Sequence, residues 1–129
     1  MSNNDLTLFY DPELDFWFRA SEIDFLQAAK DTSHAFTFYA AETVERFYKR
    51  MNVKAPESSD HIGWFMDENW IDNWQEYSGY IDINFSDLQS IENAPVYAPK
   101  YRIVLYFQAP SINEELPKFF KTINKNLEN

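Results

Sequence analysis

Apolar and polar positions change period along this chain, and the changes mark its elements. Leu6, Leu8 and Tyr10 alternate with polar neighbours, the period of a short strand, and Asp11-Pro12-Glu13 reads as the turn that ends it. Ser21-Glu22-Ile23-Asp24 sets a capping hydroxyl three residues before a carboxylate, a helix start of capping-box type with Asp in place of Glu. The spacing predicts a helix over 22–33 that turns Ile23, Phe25, Leu26 and Ala29 inward. Val44, Phe47, Tyr48 and Met51 then fall at i, i+3, i+4 and i+7, one apolar stripe, with Glu45, Arg46, Lys49 and Arg50 off it. Cations gather in its last turn, where they complement the helix dipole, and Pro56 limits its length.

Beyond this point the period falls from 3.6 to 2. Residues 62–66 form a short strand candidate. Ile81, Ile83 and Phe85 alternate with Asp82 and Asn84, a half-buried strand, while Ile103, Leu105 and Phe107 belong to a longer strand apolar on both faces. Three strands in succession favour an antiparallel meander. After Pro110, Ser111-Ile112-Asn113-Glu114 opens a last helix with Pro117 in its first turn and Phe120, Ile123 and Leu127 inward. The expected fold is α+β: a small antiparallel sheet of three to four strands with two to three helices on one face. It forms one domain over 1–129. Residues 1–20 make a strand and turn, 21–55 two helices, 61–108 the sheet with a segment 67–78 inserted, and 111–127 the C-terminal helix.

Composition narrows the class. With 129 residues, 45% hydrophobic and 19% aromatic, the chain can fill one core and is not disordered. No apolar run approaches 18 residues, and Met1-Ser2-Asn3-Asn4-Asp5 lacks the basic and apolar stretches of a signal peptide, so neither a membrane span nor a leader is expected. Cysteine is absent, which removes disulfides and thiolate metal sites and suits a reducing cytoplasm.

The formal charge of −10 is unevenly spread. Residues 1–18 carry −4, 19–56 carry +1, 57–92 carry −9 without one Lys or Arg, and 93–129 carry +2. Such a chain repels phosphate backbones and anionic lipid, so direct binding to nucleic acid or membrane is not expected. Within the anionic stretch lie Asp67, Glu68, Trp70, Asp72, Trp74, Glu76 and Tyr77. Trp70, Trp74 and Tyr77 share a face on a helical turn, edged by carboxylates. Two readings are open: the indoles belong to the core and the acids to a solvated rim, or the segment is a contact surface with aromatic anchors and a charged border. The second suits a basic partner, since Trp and Tyr supply binding energy and the border speeds encounter.

Catalytic patterns are missing. His34 and His61 are isolated, no H-x-x-x-H, H-E-x-x-H or G-x-S-x-G occurs, and the acids do not follow EF-hand spacing. Asp60 and His61, adjacent on a strand, would point to opposite faces and form no dyad. With two glycines, Gly63 and Gly79, a Gly-rich phosphate loop is excluded. Neither a catalytic residue nor a metal or other cofactor is expected. The basic cluster Arg46, Lys49, Arg50 and Lys54 fits helix-end compensation, and can also meet the acidic stretch of a second copy to form a homodimer.

Residues 38–110 resemble an uncharacterised domain that recurs in phages and integrative elements of Gram-positive bacteria. The likeness rests on Glu42-Thr43-Val44-Glu45-Arg46-Phe47-Tyr48, Gly63-Trp64, Tyr80-Ile81-Asp82-Ile83-Asn84-Phe85 and the strand ending Phe107-Gln108-Ala109-Pro110. The segment Trp70–Tyr77 and the first 37 residues depart from it. The resemblance implies a mobile-element origin and carries over no catalytic residue. With the charge pattern, it leads to an expected role as a non-enzymatic acidic protein of the host cytoplasm that binds and inhibits a basic, nucleic-acid-handling defence protein. Anti-CRISPR and anti-restriction DNA mimics work in this way. Two alternatives stand beside it: a phage assembly or immunity-type protein that binds by shape, and a small divalent-metal enzyme built on the central carboxylates.

Overall fold

The computed structural model describes residues 6–68, 70, 81–88 and 101–128. Its elements run β1 Thr7–Asp11, β2 Phe16–Ala20, α1 Glu22–Tyr39, β3 Ala41–Thr43, α2 Val44–Arg50, a 3₁₀ turn Ser59–His61, β4 Ile62–Phe65, β5 Ile83–Leu88, β6 Tyr101–Tyr106, β7 Ser111–Ile112 and α3 Glu115–Glu128. This is α+β with two small sheets. The first has the order β2-β1-β6-β5 and the second β3-β4-β7. β1 and β2 form an antiparallel hairpin, β5 and β6 pair antiparallel from Ile83↔Tyr106 to Leu88↔Tyr101, and β1 joins β6 in parallel.

The expected meander therefore divides. Strand β4 leaves the β5–β6 pair and builds the second sheet with β3 and β7. Gly63 permits this pairing. A Cβ there would lie 2.1 Å from the Glu42 carbonyl oxygen and 2.7 Å from Thr43 Cα, both backbone atoms with nowhere to go. The mixed character of the first sheet comes from β1, the amino-terminal strand, which takes a central place beside β6.

Helix α1 starts where its cap predicts: Ser21 Oγ accepts the Asp24 N–H at 3.0 Å. It continues six residues past the expected end at Ser33, because nothing in 34–39 breaks it, and stops at Ala40 in the left-handed region (φ 63°). Its inward stripe is Phe25, Ala28, Ala29, Thr32 and Phe36. Ile23 and Leu26, expected inside, are exposed. The helix is rotated so that the larger rings of Phe25 and Phe36 take the core, where burial of apolar area gains most. Val44, Phe47 and Tyr48 of α2 and Met51 at its C-cap are all buried, as the stripe requires.

Sheet and helices close on an aromatic core. Phe9 stacks on Phe18 and Phe25 with ring centroids 5.2 and 4.8 Å apart, and Phe85 meets both Phe9 and Phe25 edge-on. α3 adds a smaller cluster in which Leu116 and Phe120 are buried with Ala41, backed by Phe65, Phe119 and Ile123.

Candidate interaction surface

Two buried polar centres hold the layers together. Asp11, fully buried at the end of β1, accepts the backbone N–H of Glu13 at 3.0 Å and of Leu14 at 3.3 Å through Oδ1. Its Oδ2 accepts the hydroxyls of Tyr48 from α2 and of Tyr106 from β6. Burial raises the Asp11 carboxyl above its ordinary range, although these four donors pull the other way. Burial first, and then the Asp11 charge among their neighbours, pushes both tyrosines far upward, so they remain donors. The cluster rivets β1, α2 and β6 together.

The second centre is Glu42 in β3, also fully buried. Arg46 Nε donates to its Oε1 at 2.7 Å and Arg50 to its Oε2 at 3.0 Å, while the Thr43 N–H adds a third bond. Arg50 also reaches Thr32 Oγ1 on α1, and the Arg46 guanidinium lies 4.3 Å from the Phe120 ring centroid on α3. Helix-end compensation alone therefore does not explain this basic cluster. Two of its four cations neutralise an internal carboxylate. Sequence reasoning missed both centres because their partners are 37 and 95 residues apart for Asp11, and because Glu42 stands outside the helical pattern.

Asp67 and Glu68 follow β4 and are exposed. Asp67 Oδ1 accepts the Trp70 N–H at 3.0 Å, a cap-like bond that turns the chain inward. Trp70 itself is buried, with its ring 4.9 Å from Phe36 of α1. As an exposed anchor it is thus corrected: the Phe36 ring offers a wall, and burying an indole gains roughly 3 kcal/mol or more over exposing it. Asp72, Trp74, Glu76 and Tyr77 lie outside the described residues. At the far end of this stretch Ile81 is buried in the same cluster as Trp70.

Asp82 comes next and is exposed. Its carbonyl accepts the Phe107 N–H at 2.9 Å, one step beyond the Ile83↔Tyr106 pair, so Asp82 and Phe107 stand opposite each other at the end of the hairpin. Leu105, Phe107, Asp82 and Asn84 are all exposed, whereas Ile83 and Val104 between them face the core. Period 2 therefore sets the four on the outer face of the sheet.

Arg102, on the opposite face of the same strand pair, is already engaged. Arg102 pairs with Asp87 and with Glu22, the latter at 3.1 Å, and so removes one carboxylate from the anionic stretch. Asp60 and His61 stand in the 3₁₀ turn and not on a strand. Their side chains approach to 3.5 Å, against the expectation of opposite faces, and Glu114 lies 3.5 Å from the other ring nitrogen. Glu57, Asp67, Glu68 and Asp82 have no ion pair among the described residues. An open cleft of about 480 Å³ beside α2 mixes Lys49 and Lys54 with Glu45 and Glu57 and presents no single charge. Among the described residues no three His, Asp or Glu side chains gather as a metal site. No described helix is long and apolar enough to cross a membrane.

Comparisons with protein-family models, curated proteins and solved structures return no match.

Proposed function

We propose that the protein is a non-enzymatic binder of a basic, nucleic-acid-handling protein. Its anionic middle third occupies a groove meant for phosphates, and in the setting of a mobile element this inhibits a host defence protein. One observation carries the reading. Asp67, Glu68 and Asp82 are exposed without an ion pair among the described residues, while Trp70 and Ile81 of the same stretch are buried in one core cluster. Like charges side by side, as at Asp67 and Glu68, cost a few tenths of a kcal/mol per exposed pair, a cost that a cationic partner offsets. Phe107 beside Asp82 supplies the exposed aromatic that Trp70 does not.

The test uses a fluorescent nona-arginine peptide as a stand-in for the cationic groove. Binding should weaken steeply between about 0.05 M and about 0.5 M salt, as screening demands. Reversing Asp67, Glu68 and Asp82 to Lys should weaken it about tenfold, while Glu45→Lys on the exposed side of α2 should leave it within about twofold. Salt-indifferent binding, or equal losses in both variants, rejects the proposal.

A further inference from the structure

Twice among the described residues an arginine is held by a phenylalanine ring and a carboxylate together. Arg46 lies 4.3 Å from the Phe120 centroid while its Nε bonds Glu42. Arg102 lies 5.9 Å from the Phe85 centroid while it pairs with Asp87, directly across the β5–β6 ladder. A guanidinium suits such a site because it is planar: its face stacks on the ring while its edge donates to the carboxylate.

The outer face of the same hairpin carries a third combination of this kind. Asp82 and Phe107 are cross-strand neighbours, which puts their Cβ atoms about 5 Å apart on one face. Phe107 is 66% exposed, and Leu105, the next outward residue on its strand, is 44% exposed. Asn84 lies opposite Leu105, its side-chain oxygen accepting the Phe85 N–H at 2.8 Å. Among the described residues neither Asp82 nor Phe107 has a cation from its own chain.

We propose that Asp82 and Phe107 form a docking slot for an arginine side chain of the partner, the guanidinium stacked on the Phe107 ring and donating to the Asp82 carboxylate. Leu105 receives the aliphatic stem. This rests on the proposed binding of a basic protein and adds a preference for arginine over lysine, which an acidic field alone does not give. A lysine ammonium is a compact, strongly hydrated charge that gains less from stacking.

Nona-arginine and nona-lysine peptides, equal in charge, separate the two ideas. Wild type should bind the arginine peptide about fivefold more tightly. Phe107→Ala, at an exposed position, should abolish that preference while binding to nona-lysine holds within about twofold; Asp82→Asn should weaken the arginine peptide more than the lysine one. Equal affinity of wild type for both peptides, or a preference that survives Phe107→Ala, overturns the slot and leaves the charge-led reading standing. Failure of both peptides to bind overturns both.

Discussion

Asp11 shows how a single side chain can join three elements and set a pH response. Its carboxylate takes two backbone N–H groups from its own turn and two tyrosine hydroxyls from α2 and β6. Burial holds its carboxyl above the ordinary range despite those donors. A carboxyl raised in the folded state binds its proton more tightly there than in the unfolded chain. Its contribution to stability is therefore fully present below the ordinary carboxylate value and is lost as pH climbs through the raised one. Asp11→Asn removes the titration. The stability of wild type minus that of Asp11→Asn, from urea melts, should grow as pH falls from about 7 to about 4. A difference that stays flat or shrinks over that range contradicts the assignment.

At the scale of elements, the second sheet depends on one close approach. β4 comes so near β3 that any side chain at position 63 strikes the Glu42 carbonyl. Gly63→Ala should cost about 3 kcal/mol, measured by chemical denaturation, because backbone and not a flexible side-chain tip must move. A cost below about 1 kcal/mol would show that β3 and β4 can separate freely. Elements whose cause is local were legible in the residues: the Ser21 cap, the Val44–Met51 stripe, Pro117 in the first turn of α3, and the β5–β6 hairpin. What depended on distant partners was not. The inward face of α1 is set by Phe36 meeting Trp70, and the break between β4 and the hairpin by the fit of Gly63 on β3. Neither leaves a mark in periodicity.

For the whole molecule, charge is sorted. Arg46 and Arg50 serve Glu42, Arg102 serves Glu22 and Asp87, and the exposed acids after β4 and before β5 are left to solvent. The concentration of acid over 57–92 was plain in the sequence, as were Asp67 and Glu68 as exposed candidates. The aromatic side of the surface was not. Trp70, in an acidic run, turned inward, while Phe107, at the end of an apolar strand, turned outward because strand parity placed it across from Asp82. Such a molecule should meet a cationic partner through one face and not through its net charge.

Amide chemical-shift mapping of the full chain with unlabelled nona-arginine tests that claim directly. Shifts should concentrate at Asp67, Glu68, Asp82 and Phe107, spare the equally exposed Asp31 and Glu45, and disappear at about 0.5 M salt. Shifts spread evenly over the exposed acids, or absent around Asp82 and Phe107, would contradict it.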